Sequence, residues 1–226
     1  MKNLAAVIAS MLVVAACTSN DPVSPENIDM RIPGLGSKFT FITHELDPSS
    51  DTIAGTGVYS TFTIVADDVM YAGRTGVWIL EEDAPGQTKD SIILRLDSNK
   101  DVLMYQHGSV DSDRWIRFPV TTGEKYVYTM TDTSSFERVT FTYTIDRVGN
   151  ETVVVGAESV PTVKLQVSLK YQVTEAGAVT NEDTATVWWW YAPTIGAFVR
   201  KLRPLDQTGD ITSEGMLEQL ASYTLN

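Results

Sequence analysis

The sequence predicts an all-β domain laid out as an antiparallel meander, and three observations carry that prediction. The first is strict alternation. Val163, Leu165, Val167, Leu169, Tyr171 and Val173 interleave with Lys164, Gln166, Ser168, Lys170 and Gln172, which places the apolar set on one face of a strand. The second is its repetition, with Val139, Phe141, Tyr143 and Ile145 set against Thr140, Thr142, Thr144 and Asp146. The third is the regular supply of turn clusters between apolar runs, among them Asp47-Pro48-Ser49-Ser50, Asp97-Ser98-Asn99, Val148-Gly149-Asn150 and Thr180-Asn181-Glu182-Asp183. No stretch has a strong helical period, and only Ser213 to Leu220 is expected to form a short turn of helix.

From the amino terminus, the first element is an export signal. Lys2 gives a basic start, Leu4 to Ala16 is an almost unbroken apolar run, and the run stops at Val14-Ala15-Ala16-Cys17. Such a run is too short to span a bilayer as a helix, and small residues before a cysteine are the pattern of a bacterial lipoprotein signal. Residues 1–16 are therefore expected to be removed. Cys17, the only cysteine, is expected to carry a diacylglyceryl group and a further acyl chain such as palmitate. Each buried methylene contributes about 0.8 kcal/mol, so two or more chains anchor stably. Thr18 stands where an aspartate often marks retention at the inner membrane, so the outer membrane is the expected location, facing the periplasm or the surface. Residues 17–36, with Asp21-Pro22, Ser24-Pro25 and Pro33-Gly34, read as a flexible tether reaching about 25 Å.

Residues 37–226 then form one β domain. Apolar runs suited to strands occur around 38–43, 58–65, 77–80, 91–96, 102–106, 114–118 and 125–130, followed by the two alternating segments. One later strand breaks the alternation. Thr186-Val187-Trp188-Trp189-Trp190-Tyr191 is apolar on both faces, so both faces are covered or one lines a cavity. A thick core explains this most simply. The sharper expectation is an aromatic wall, with Trp188 and Trp190 joined by Leu165, Val167, Leu169 and Tyr171 to line an apolar ligand site.

Charge narrows the partners. The chain carries 17 Lys+Arg against 29 Asp+Glu, a formal −12, and loss of Lys2 with the signal makes it one unit more negative. A field of that sign repels phosphate backbones and acidic lipid heads, so nucleic acid is excluded as an expected partner.

The segment Trp190-Tyr191-Ala192-Pro193-Thr194-Ile195-Gly196-Ala197-Phe198-Val199-Arg200-Lys201 resembles the WYAPGVGLVK signature of a group of bacterial envelope lipoproteins of unknown function. In that group the signature follows a G-x-E-x-[VI]-x-V-PAGTF pattern. The counterpart here is Gly149-Asn150-Glu151-Thr152-Val153-Val154-Val155 and then Gly156 to Val160. Gly156, Glu158 and Val160 depart from it, so that hairpin is expected to bend differently. Within the motif Trp190, Tyr191, Ala192, Pro193 and Gly196 read as structural, with Pro193 and Gly196 turning the chain between two strands. The resemblance implies an architecture similar to the LolA and LolB carriers, a curved antiparallel sheet or open half-barrel that holds acyl chains.

Catalytic parts are sparse. His44 and His107 are the only histidines, and neither has a metal-ligating neighbour at strand or helix spacing. No nucleophile elbow, zincin motif or phosphate loop occurs, and Ser109 beside His107 and Asp111 is a weak triad. Asp97-x-Asn99-x-Asp101 begins like a calcium loop but has Val102 in place of the turn glycine, and reads as a solvated hairpin turn. No cofactor or metal and no enzymatic activity is expected. The leading expectation is an outer-membrane-anchored, non-catalytic module that binds an apolar or lipid-like ligand; the alternative is an interaction lipoprotein docking on another envelope protein.

Overall fold

The computed structural model describes residues 29–83, 90–105, 115–133, 137–204 and 215–226. The export signal, Cys17, His107, Ser109 and Asp111 lie outside the described residues. Among the described residues twelve strands follow one another: β1 (Lys38–Leu46), β2 (Val58–Tyr71), β3 (Arg74–Glu82), β4 (Ser91–Leu96), β5 (Val102–Tyr105), β6 (Trp115–Phe118), β7 (Tyr126–Thr133), β8 (Glu137–Val155), β9 (Glu158–Glu175), β10 (Ala178–Ala192), β11 (Ala197–Arg203) and β12 (Gly215–Thr224). All belong to one antiparallel sheet in the order β6-β5-β4-β3-β2-β1-β12-β11-β10-β9-β8-β7. This is an up-and-down meander joined by the β1–β12 pair and interrupted only between the consecutive strands β6 and β7.

The sheet curls into a nearly closed barrel, as ring contacts across it show. Phe118 of β6, at one edge, stacks on Trp189 of β10 at 5.0 Å and meets Phe198 of β11 edge-on at 5.0 Å. Inward side chains from every part of the meander, including Phe39, Ile64, Trp78, Ile145, Leu165, Tyr191 and Leu220, share one buried core. A second, smaller cluster of Val77, Ile93 and Trp115 lies on the opposite face of β3, β4 and β6.

A polar clamp forms beside the interruption between β6 and β7. Asp101, in the β4–β5 turn, is fully buried. It accepts hydrogen bonds from Arg117 Nε and Nη2 (2.9 and 2.6 Å), from Thr121 and Thr122 N (2.7 and 3.1 Å) and from Thr122 Oγ1 (2.8 Å). Arg147 of β8 reaches the same place, donating to Thr121 O at 3.2 Å. The clamp thus ties both sides of the β6/β7 interruption together. The expected solvated turn is corrected here: Asp97 does cap the turn through Asn99 N and Asp101 N, but the Asp101 carboxylate is committed to protein donors.

Four further expectations are corrected. Val148-Gly149-Asn150 is not a turn. β8 runs through it with a bulge between Arg147 and Gly149, because the turn residues are absorbed by an irregularity in a long ladder. Thr180 to Asp183 is likewise inside β10, with a register shift between Val179 and Asn181. The reversal comes earlier, at Ala176 and Gly177, both at positive φ (50° and 85°), as a two-residue hairpin requires. The expected helical turn at Ser213 to Leu220 is strand from Gly215, inserted between β1 and β11, so sheet pairing overrides the local helix-forming tendency.

The stretch from Met30 to Gly36, expected to be part of a tether, is instead bonded to the domain. Arg31 N donates to Pro193 O and Gly36 N to Ile64 O, both at 2.9 Å, and Met30 packs on the core. Ile32 and Leu35 stay exposed, so the segment is held by these backbone bonds together with Met30 and the buried Pro33.

Candidate ligand face

Strand lengths create the site. β10 pairs with β11 only from Trp188 to Ala192, while its partner β9 continues with it back to Ala178. The ten residues from Ala178 to Val187 therefore project beyond β11 with β9, β8 and β7, a blade about 30 Å long at 3.3 Å per residue. Its two faces differ in chemistry. The outward face carries Thr140, Thr142, Thr144, Ser168, Lys170 and Gln172. On the inward face, paired positions bring together Phe141 with Tyr171, Tyr143 with Leu169, Ile145 with Val167, and Tyr128 with Tyr143.

Burial varies along this inward face, where Val173 beyond Tyr171 is also buried at 9% exposure. Leu165 is 0% exposed and Val167 6%, so these two belong to the packed core. Leu169, Tyr171, Phe141, Tyr143 and Tyr128 are only half-buried. The Phe141 and Tyr171 rings lie 5.2 Å apart and those of Tyr128 and Tyr143 6.3 Å, forming an aromatic floor. Desolvation raises the Tyr143 hydroxyl above its usual pKa, which marks an apolar environment. Phe62, Ile92 and Met104 border the same core, also partly buried.

The expected wall of Trp188, Trp190, Leu165, Val167, Leu169 and Tyr171 does not exist as one surface. Trp188 pairs with Gln166 and Trp190 with Lys164, whereas Trp189 pairs with Leu165, and opposed residues share a face. Trp188 and Trp190 consequently stand on the opposite face of the sheet, where Trp190 is nonetheless buried in the core cluster and Trp188 packs against it. There Lys164 Nζ sits 5.0 Å from both ring centroids and the Arg200 guanidinium 4.9 Å from that of Trp190. Trp190 Nε1 donates to Glu151 Oε2 at 2.7 Å, and Lys164 Nζ to Glu151 Oε1 at 2.7 Å. Trp190 is 3% exposed, so its ring is a packing element. The inward member of the tryptophan run is Trp189.

The motif segment is structural in its geometry. Ile195 N and Gly196 N both donate to Ala192 O (3.1 and 2.8 Å), turning β10 into β11. Gly196 has φ +77°, and a Cβ there would lie 2.3 Å from Arg31 O, so glycine is needed both for conformation and for the passage of residues 31–33. Beside this turn lies a cavity of about 180 Å³ lined by Asp29, Asn150, Pro161, Thr162, Val163 and Pro193, with Thr194. It is small beside the 300–1,000 Å³ typical of ligand pockets, and the blade face is the better candidate.

One polar pair interrupts the inward face. Trp189, Lys201, Glu218 and Thr43 form a row across β10, β11, β12 and β1. Lys201 Nζ lies 2.7 Å from Glu218 Oε1 and 5.1 Å from the Trp189 ring centroid. Sequence reasoning missed this pair because nothing local distinguishes Lys201 or Glu218 from surface charges. Phe141 and Tyr143 were legible from their alternation, but their meeting with Leu169 and Tyr171 depends on register.

No protein-family model matches this chain, and no curated protein matches it. A solved structure of a candidate exported protein with a YmcC-like fold from Bacteroides fragilis is similar, with a TM-score of 0.45 and 15% sequence identity over 87% of this chain and 99% of that one.

Proposed function

We propose that this chain is a non-catalytic binding module of the cell envelope, held at the outer membrane through lipidated Cys17, whose blade takes an apolar or lipid-like ligand on its inward face. We place it with the envelope lipoproteins carrying the WYAPGVGLVK-like motif. The observation that carries the reading is the half-buried aromatic and aliphatic surface of Leu169, Tyr171, Phe141 and Tyr143, continuous with the core yet extending past β11. Burying the remaining apolar area of such side chains is favourable at about 25 cal/mol per Å², and a ligand chain would supply that burial.

A saturable-binding assay with N-phenyl-1-naphthylamine, an apolar fluorophore, tests the reading on the full-length protein. Leu169→Asp and Tyr171→Asp are expected to abolish saturable binding with melting temperature little changed, and Trp188→Ala on the outer face to retain it. Unchanged probe affinity in both aspartate variants would remove the blade as the site.

A further inference from the structure

We propose that the Lys201–Glu218 pair is a head-group site, and that the ligand is a zwitterionic amphiphile of the phosphatidylethanolamine type. This rests on the apolar-face reading above and adds the polar end. The pair lies one inward row above Phe41 and Leu220, which are 6% and 0% exposed, while the Lys201 and Glu218 side chains keep 23% and 21%. The pair is therefore only partly withdrawn from solvent, one row beyond the packed core. A partly desolvated ion pair adds little to stability compared with apolar side chains of the same size, so a role other than stability suits this pair beside the Trp189 ring.

The donor and acceptor inventory fits a head with both signs. An ammonium has three N–H donors and a carboxylate two oxygens. The bond of Lys201 Nζ to Glu218 Oε1 uses one of each, leaving Lys201 able to donate to a phosphate and Glu218 Oε2 able to accept from an ammonium. Such a head lies antiparallel to the protein dipole. A purely anionic head would face Glu218 and the field of a chain with formal charge −12, and a nonionic head would leave both charges partly desolvated without gain.

The spacing also fits. From Trp189, the inward positions of β10 run through Val187 and Ala185 to Asp183, opposite Val167, Leu169 and Tyr171. Six residues at 3.3 Å span roughly 20 Å, the length of a long acyl chain. A head at Lys201 thus directs its chain onto the blade.

The test uses the full-length protein and three soluble short-chain probes: dihexanoyl phosphatidylethanolamine, dihexanoyl phosphatidylglycerol and dihexanoylglycerol. The wild type is expected to bind the ethanolamine lipid about tenfold more tightly than the other two, the worth of one charge-assisted hydrogen bond. Lys201→Gln should lose that advantage, binding the ethanolamine lipid no more tightly than dihexanoylglycerol. Glu218→Gln should shift preference towards the glycerol phosphate lipid, an outcome that a merely structural pair would not give. Equal affinity of the wild type for all three, tighter binding of the anionic probe, or an unchanged ethanolamine preference in either variant overturns the head-group site while the apolar face stands. Absence of saturable binding by every probe overturns both.

Discussion

Asp101→Asn should loosen the barrel where its sheet is interrupted. In the native protein this fully buried carboxylate accepts from Arg117, Thr121 and Thr122, and the bound turn sits between β6 and β7. An asparagine keeps the volume but loses the charge, and presents an amide donor to a nest of donors. Removing one partner of a buried pair costs about 3–5 kcal/mol. Asp97 Oδ2 lies 3.3 Å from Arg117 Nε and keeps part of the attraction, so a loss of about 3 kcal/mol is expected, at the lower end of that range. Urea unfolding followed by tryptophan fluorescence measures it directly, because Phe118 and Trp189 stack across the interruption. A loss below about 1 kcal/mol, the worth of one ordinary hydrogen bond, would refute the view that this clamp closes the barrel.

Other outcomes follow from the same geometry. Phe118→Ala should cost about 3–5 kcal/mol, read as a lowered urea midpoint, since Phe118 is 2% exposed and touches both Trp189 and Phe198. Trp190→Asp should unfold the domain or lower its melting temperature steeply, because it puts a charge where a 3% exposed ring now packs. Glu151 is partly desolvated, which raises its carboxyl, but hydrogen bonds from Lys164 and Trp190 and the fields of Lys164 and Arg200 hold it below the ordinary value. Its stabilising contribution is thus present above the unfolded pKa of about 4.3 and lost as pH falls through the lower folded value. Melting curves of the wild type and Glu151→Gln should differ above about pH 5 and converge in acid.

Much of the fold was legible in the sequence, for local reasons. Period-two alternation in Val163 to Val173 and in Val139 to Ile145 appears directly as paired strands β9 and β8, and the apolar runs near 38–43, 58–65 and 91–96 fall inside β1, β2 and β4. What failed depended on contacts distant in sequence. Gly149 and Asn150 look like a turn, but β9 supplies partners on one side throughout, so the chain bulges instead of reversing. Asp101 looks solvated in its own turn and is buried by Arg117 and Thr122, which lie sixteen and more residues away. The tryptophan run shows the same limit at the candidate site. Alternation separates Trp188 and Trp190 from Trp189, but only the register with β9 shows which side faces inward.

Native mass spectrometry of the full-length protein, purified from envelopes in mild detergent, addresses the central claim most directly, alongside Tyr171→Asp prepared in the same way. The account predicts a stoichiometric lipid-like adduct on the wild type that solvent extraction releases, and its loss from a folded Tyr171→Asp protein. An adduct-free wild type, or an adduct that survives the substitution, would contradict the blade as a ligand face.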